Sequence, residues 1–261
     1  MLSDFDVIVR RFKSAIKIAC ISDVHYGALE HMEREWQSFI QTVLADPAMF
    51  LILNGDLINN NTRSSVGSPW DDRVRPSQQK RDMVEALAPI RDRILCCTSG
   101  NHERRSMKDA DDDPTYDIMT KLDLEDIYRP NAAFMKIQLG ERSNAPNKGN
   151  QTYTFAVTHG AGGGIYTGAT VNRNERWGNV IDGLDCLVVG HTHKGTVSRP
   201  SKIVFDPFNN KVTLKEYVVI SSVAWQNYGG YPMQKMLLPA TTSKPQILHL
   251  SDKNKHIEVR W

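Results

Sequence analysis

Ser99-Gly100-Asn101-His102-Glu103 directly follows an apolar run, Ile94–Thr98, in this chain of 261 residues. The run predicts a buried strand, and a glycine ends it. An amide, an imidazole and a carboxylate then follow one another where the chain must turn. Because open α/β sheets place their chemistry at the carboxyl ends of their strands, the segment predicts a functional site there. Taken alone, a solvated Gly-Asn turn would have the same sequence.

Four other apolar runs end in the same way. Five of the chain's eight histidines, including His102, lie in such strand-end clusters. The runs and the polar residues that follow them are Ile16–Ile21 with Asp23 and His25, residues 50–53 with Asn54 and Asp56, residues 154–157 with His159, and Cys186–Val189 with His191 and His193.

The composition is that of an ordinary globular protein, with 40% hydrophobic and 24% charged residues. A net charge of +2 neither requires nor excludes a nucleic-acid partner. No apolar run approaches the roughly 20 residues of a membrane-spanning helix, so no membrane partner is expected. The four cysteines lie in predicted strands without a C-x-x-C pair, which predicts free thiols and a cytoplasmic location.

Strands and helices alternate in the first half of the chain, which predicts a parallel sheet with helical crossovers. The second half is mostly strand. The expected fold class is therefore α/β (α+β), with two packed mixed β-sheets flanked by helices, in a single domain over residues 1–261. Residues 1–14 are expected to be an N-terminal helix or extension, because the spacing in 2–12 suits a short amphipathic helix capped by Ser3.

Several further elements are expected from local patterns. Helices are predicted over residues 30–44, 78–91 with Ser77 as the cap, and 115–124 behind an acidic turn. Strands are predicted over 134–139 and 152–158, which form a hairpin through a turn at 144–150, and near 203–205, 212–221, 246–250 and 257–259.

The strand-end clusters offer the ligands of a metal centre. Imidazole, carboxylate and amide oxygen suit borderline divalent ions, with Mn favoured and Fe or Zn as alternatives. Two ions that share a carboxylate would use all of these side chains, and Asp56, alone on its loop, is the natural bridge. Two ions about 3.5–4 Å apart stabilise the attacking and leaving oxygens of an in-line phosphoryl displacement. The candidate ligands are Asp23, His25, Asp56, Asn101, His159, His191 and His193.

The ordered motifs D-x-H, G-D, G-N-H-E, H-G and G-H-x-H, from Asp23 to His193, resemble the calcineurin-like metallophosphoesterase superfamily. The resemblance implies a four-layer αββα sandwich and a phosphoester substrate. It also implies that His102 stays unligated as a general acid or transition-state stabiliser, and that Glu103 supports the turn. The implied ligand sets are Asp23, His25 and His193 for one ion, Asn101, His159 and His191 for the other, and Asp56 between them.

The departures from the family pattern bear on the substrate. The serine/threonine phosphatases carry an acidic-Arg-Gly continuation after G-D, whereas residues 57–61 here contain no arginine. The complete G-H-x-H motif is more similar to the diesterase and nuclease branches. Because 68 residues follow His193, the full capping domain of the large nucleases is not expected. The chain is also similar to compact phosphoesterases of phages and prophages.

We therefore expect a metal-dependent phosphoesterase that favours phosphodiesters, with nucleotides as a candidate substrate class. A DNA or RNA nuclease is the first alternative, and a non-catalytic metal-dependent binding module is the second. Candidate substrate contacts remain open: the arginines could bind phosphate or be solvated, the glycines could cradle phosphate, and the aromatics could stack or pack. They are Arg104, Arg105, Arg173, Arg176, Gly162 to Gly164, Trp70 and Tyr166, with Arg63, Arg73 and Arg75 as further borders of a basic groove for a nuclease.

Overall fold

A computed structural model of the chain describes residues 6–140, 150–240 and 244–261. Its first sheet has six strands, in which Ile16–Ile21, Met49–Asn54 and Ile94–Thr98 pair in parallel and Ile247–Leu250 runs antiparallel to Ile16–Ile21. The strands lie in the order β14 (Ile257–Arg260), β13 (Ile247–Leu250), β2 (Ile16–Ile21), β3 (Met49–Asn54), β4 (Ile94–Thr98) and β5 (Tyr128–Arg129).

The second sheet also has six strands, and it mixes parallel with antiparallel pairs. Their order is β1 (Val7–Phe12), β6 (Ala132–Leu139), β7 (Gln151–Thr158), β8 (Cys186–Val189), β12 (Val218–Ser221) and β9 (Thr196–Ser198). A separate two-stranded hairpin consists of β10 (Ser201–Asp206) and β11 (Lys211–Glu216).

Helices flank the two sheets. One continuous apolar core contains Ile18 and Leu51 of the first sheet together with Met135 and Phe155 of the second, so the sheets are packed against each other. The predicted class, two packed mixed sheets with flanking helices, is confirmed. The helices are α1 (Glu33–Ala45), α2 (Pro76–Leu87), α3 (Glu103–Ala110), α4 (Pro114–Lys121), α5 (Thr167–Asn179) and α6 (Gly230–Gln234), and 3-10 turns cover Pro69–Asp71, Ala88–Arg93 and Glu125–Ile127.

The predicted N-terminal helix is wrong where the structure describes it. Val7–Phe12 is a strand that pairs in parallel with β6, and Ile8 is buried between the exposed Val7 and Val9. Three β-branched residues in succession favour a strand, and their alternating burial has the period of a sheet. Residues 1–5, including the predicted cap Ser3, lie outside the described residues.

Other boundaries also differ from the expectation. Helix α2 starts at Pro76, which fits the first helical turn, so Arg75 rather than Ser77 is the N-cap. The predicted strand 212–221 is divided at Tyr217 between the hairpin and the second sheet. Strands β6 and β7 pair antiparallel as predicted, but most of their connection, residues 141–149, lies outside the described residues. No described helix combines the length and the apolar character needed to span a bilayer.

Candidate metal centre

All seven predicted ligands and His102 meet at one edge of the two packed sheets. The loops after β2, β3 and β4 contribute from the first sheet, and the loops after β7 and β8 contribute from the second. Three overlapping groups bring their ligand atoms within 4.8 Å of one another: Asp23 with His25 and His193, His25 with Asp56 and His102, and Asp56 with His159 and His191.

The first of these groups brings together the two most distant motifs of the sequence. His193 Nε2 lies 3.2 Å from Asp23 Oδ1 and 3.0 Å from His25 Nε2. His25 Nε2 lies 3.8 Å from the same Asp23 oxygen. Two imidazoles and one carboxylate therefore point at a common position.

Asn101 lies between His159 and His191, two histidines of the third group. Its Oδ1 lies 2.6 Å from His191 Nδ1 and 3.0 Å from His159 Nε2. Asp56 Oδ2 lies 3.2 Å from His159 Nε2 and 3.9 Å from His25 Nε2. One carboxylate oxygen of Asp56 is thus close to both groups.

His102 lies beside this shared carboxylate. Its Nε2 is 3.9 Å from Asp56 Oδ2, and its ring meets the ring of His25 edge to face. Its Nδ1 donates to the carbonyl of Asn59 at 2.7 Å, so Nε2 is the nitrogen that faces the centre. This position suits a group that contacts a bound substrate, and its nearness to His25 and Asp56 also leaves a ligand role open.

The backbone at the centre is held in an unusual conformation. Five predicted ligands have φ between 47° and 70°, a region that side-chain-bearing residues rarely adopt. Such strain persists only where the surrounding structure imposes it, and it is concentrated at functional sites. The five are Asp23, His25, Asp56, His191 and His193.

Glu103 joins two of the ligand loops through hydrogen bonds to their backbone amides. One of its carboxylate oxygens accepts hydrogen bonds from the amides of Asp56 at 3.0 Å and Gly100 at 2.9 Å, and the other accepts from Ile58 at 3.1 Å. Gly100 packs so close to Asp56 that an added Cβ would lie 2.0 Å from its Oδ1. The supporting role expected for Glu103 is therefore visible in its contacts.

Two hydrogen bonds orient ligands across the contact between the sheets. His159 Nδ1 donates to the carbonyl of Asn54 at 2.7 Å, which leaves Nε2 directed at the centre. The amide of His191 donates to Asp23 Oδ2 at 2.9 Å, and Ser22 donates to the same oxygen. Partners of this kind fix the orientation of metal ligands.

The charges and the burial at the centre shift the pKa of His159 and that of His102 in opposite directions. Burial opposes the charge of both carboxylates, but His193 beside Asp23 and His159 beside Asp56 hold the pKa of each carboxyl well below its usual range. Burial also opposes charge on His159, yet Asp56 raises its pKa to about 10. For His102 burial prevails over Asp56 and lowers the pKa to about 3.

The donor set fits divalent metal ions. Asp23 Oδ1 is fully buried and accepts no hydrogen bond from the described residues, which is costly for a carboxylate oxygen unless a cation is bound. The surrounding imidazole nitrogens and the amide oxygen of Asn101 suit borderline ions rather than Ca²⁺. The centre is thus a candidate metal site by geometry, burial and chemistry.

A cavity of about 970 Å³ opens over the centre. Among the predicted arginines only Arg105 lines it. Arg104 donates to the carbonyls of Ser99 and Pro130, and Arg173 donates to those of Gly162 and Gly163, which do line the cavity. Arg176 is exposed on α5.

The remaining predicted contacts do not form a basic groove at the cavity. Arg73 donates to the carbonyls of Ala28 and His31, and neither Arg63 nor Arg75 is part of the lining. The lining instead includes Glu30, Asp71 and Asp72. Trp70 and Tyr166 are 93% and 73% exposed, so neither packs in the core, and neither lines the cavity.

Sequence reasoning missed two parts of the site. The segment around α6 forms one wall of the cavity with Tyr228, Leu237 and Leu238, and no sequence pattern links it to the motifs. Asn59 and Asn61 also line the cavity. Their place directly after the G-D motif is a usable signal that they lie near the centre.

One comparison with known protein families covers this whole centre. The sequence profile of the family described as calcineurin-like phosphoesterase matches residues 16–195, which include every predicted ligand. The chain therefore belongs to the calcineurin-like phosphoesterase family. This family hydrolyses phosphoesters and generally uses divalent metals, for which the clusters described above are the candidate ligands.

A search of curated proteins finds no match. Among solved structures, the chain is similar to a conserved uncharacterized protein of Streptococcus pneumoniae TIGR4 that is named a predicted phosphoesterase. The two share 10% sequence identity at a TM-score of 0.35, over 95% of this chain and 99% of the other.

Proposed function

We propose that the protein is a dinuclear metal-dependent phosphoesterase that favours phosphodiesters. The observation that carries the proposal is the position of Asp56 Oδ2, within 3.2 Å of His159 Nε2 and 3.9 Å of His25 Nε2. A carboxylate approached from both sides suits two cations that would otherwise repel each other. Divalent ions bound here would supply Lewis acidity for the attack of water on phosphorus.

The proposed ligand sets follow the two groups of side chains around Asp56. The bridge is Asp56 itself, and Mn is the preferred ion, with Fe or Zn as alternatives. The first set is Asp23, His25 and His193, and the second is Asn101, His159 and His191.

His102 is proposed to act on the leaving group. Its Nδ1 is committed to the carbonyl of Asn59, so Nε2 is the atom that can donate to a leaving oxygen. Its lowered pKa makes it neutral in the metal-free protein, and a bound anionic phosphoryl group would favour its protonated form. Removal of a general acid of this kind typically costs about 10²–10⁴-fold in rate.

Two features favour a diester. Asn59 to Asn61, which follow the Asp56 loop, are neutral, so Arg105 is the one arginine of the described residues at the cavity, and a diester carries less charge to neutralise than a monoester. The cavity of about 970 Å³ can also accept substituents on both sides of phosphorus. We further propose that residues 1–261 form a single domain, and that the four buried free cysteines reflect a reducing, cytoplasmic environment.

The test is a hydrolysis panel on the metal-free protein reloaded with Mn, Fe, Zn or Mg. The substrates are a nitrophenyl phosphodiester, the corresponding monoester, cyclic nucleotides and single-stranded DNA. We expect the diester to have the higher kcat/KM with the same metal and pH. A monoester preference of about tenfold, roughly 1.4 kcal/mol, would contradict the diester assignment. Cleavage of DNA alone would favour a nuclease, and metal binding without hydrolysis would favour a binding module.

A further inference from the structure

Arg105 and His102 are held side by side at the metal centre. Arg105 lies on α3, three residues after His102, so both side chains project from neighbouring turns. The carbonyl of Asn59 accepts from His102 Nδ1 at 2.7 Å and from Arg105 Nη1 at 3.5 Å. Of the described arginines, Arg105 alone lines the cavity. The guanidinium therefore lies next to His102, the histidine that is proposed to act on the leaving group.

A hydrogen-bond network fixes the direction of this guanidinium. Asn61 donates through Nδ2 to Asp72 Oδ1 at 2.7 Å, which turns its Oδ1 toward Arg105 Nη1 at 3.1 Å. Asn59 donates to the same Asp72 oxygen, and Gln79 donates to the other oxygen at 2.9 Å. Because Asp72 is held from three sides, the orientation of Asn61 is set before any ligand binds.

The charge of Arg105 is not neutralised by this network. Its acceptors, the Asn59 carbonyl and the Asn61 amide, are both neutral, and Nε and Nη2 have no acceptor among the described residues. No described carboxylate forms an ion pair with it, although Asp56, Glu103 and Asp72 are near enough to favour its charge. Burial, the largest influence, lowers the pKa of the guanidinium. A partly buried cation with unused donors is stabilised when an anion binds.

We propose that Arg105 forms an anion subsite that binds phosphoryl oxygens of the substrate beside His102 and discriminates between phosphoryl groups by their charge. The inference rests on the proposed phosphoesterase function and specifies its substrate recognition. A guanidinium fork binds two oxygens of one phosphoryl group. A monoester carries almost one more negative charge than a diester near neutral pH, so it depends more on Arg105.

The kinetic test compares Arg105→Gln and Arg105→Lys with the matched control Arg104→Gln. The control removes the same charge one residue away, from a side chain that is bonded to Ser99 and Pro130 carbonyls outside the cavity. We expect Arg105→Gln to lower kcat/KM for the nitrophenyl monoester about 10–100-fold, as for loss of a charged hydrogen bond. The loss for the diester should be several-fold smaller, and Arg105→Lys should restore part of the monoester activity.

A binding test without turnover separates this subsite from the proposed function. Inorganic phosphate is titrated calorimetrically into the metal-loaded proteins at pH 7.5. The Kd for phosphate should rise about tenfold or more in Arg105→Gln and stay unchanged in Arg104→Gln. Wild-type protein that binds metal but cleaves neither ester would overturn the proposed function, while the titration would still decide the subsite.

Three outcomes would overturn the subsite. They are equal losses of kcat/KM for the monoester and the diester, an unchanged Kd for phosphate in Arg105→Gln, and loss of bound metal from that variant. The last result would show that Arg105 supports the metal loop instead of binding the substrate. Wild-type metal content in both Arg105 variants, measured by elemental analysis, is therefore part of the expected result.

Discussion

The two sheets contribute different chemistry to the metal centre. The first sheet supplies both carboxylates, Asp23 and Asp56, and the amide of Asn101. The second sheet supplies only imidazoles, those of His159, His191 and His193. The negative charge that would hold cations is therefore anchored in one sheet, and the second sheet completes the centre with nitrogen atoms.

The centre has two halves, the ligand loops of the first sheet and those of the second, and different hydrogen bonds hold each half in place. Glu103 connects the Asp56 loop to Gly100 within the first half. In the second half, His159 is oriented by the Asn54 carbonyl and His191 by Asp23, both from the first sheet. Residues of the first half thus orient their own loops and also two histidines of the second half. Changes there should affect the whole centre, and the following predictions test this asymmetry.

Asp56→Ala should have the largest effect. Without the carboxylate close to both groups, two cations would repel each other at short range, so both metal and activity should be lost. Elemental analysis of purified protein measures the metal content. Asp71→Ala is the control, because Asp71 lines the same cavity without belonging to a ligand group. Two full equivalents of metal in Asp56→Ala would refute its role as the bridge.

His102→Ala should separate catalysis from metal binding. Both His102 and His159 flank Asp56 Oδ2, at 3.9 and 3.2 Å. We expect His102→Ala to keep its metal and lose about 10²–10⁴-fold in rate, whereas His159→Ala should lose metal. The rate loss should shrink with a good leaving group such as nitrophenolate. Equal losses for good and poor leaving groups would indicate charge stabilisation, and metal loss would indicate a ligand.

Glu103→Gln should weaken the ligand loops of the first sheet without replacing a proposed ligand. An amide has one acceptor oxygen, so its NH₂ group would face one or two of the backbone amides that now donate to Glu103. We expect the free energy of unfolding to fall by about 1–3 kcal/mol. Urea denaturation of the metal-free protein measures it, with the exposed Glu125→Gln as control. Equal stability of the two variants would show that the three hydrogen bonds contribute little.

The sequence predicted which side chains converge because strand ends in parallel sheets meet at one edge, and the seven candidate residues do lie together. Local patterns failed where tertiary contacts prevail. Val7–Phe12 is a strand because β6 offers it a partner, a contact 127 residues away between Val7 and Phe134. Likewise nothing in the neutral Asn59 and Asn61 indicated that they accept hydrogen bonds from an arginine of α3. The left-handed backbone of the ligands also has only a weak sequence signature, because Asp and His adopt it more often than most residues but still rarely.

The last prediction concerns the proton on His159 Nε2, which lies between this histidine of the second sheet and Asp56 of the first. In the metal-free protein Asp56 raises the pKa of His159 to about 10 against the effect of burial. Because Nδ1 donates to the Asn54 carbonyl, the labile proton is the one on Nε2, which faces Asp56. The stability that this pair contributes is fully present below the ordinary pKa near 6.5, and it is lost as pH rises through about 10.

Metal binding should therefore release a proton from the His159–Asp56 pair, since an imidazole must be deprotonated at the nitrogen that binds a metal. At pH 7.5 we expect His159 to contribute about one proton, measured as the slope of the calorimetric enthalpy of Mn binding against the ionisation enthalpy of the buffer. His102→Ala should leave the slope unchanged, because burial lowers the pKa of His102 to about 3 and its ring is already neutral at pH 7.5. A slope near zero in the wild-type protein would mean that His159 is already neutral. The second sheet would then contribute imidazoles that need no proton exchange, and the electrostatic difference between the two sheets would be smaller than the contact between Asp56 and His159 indicates.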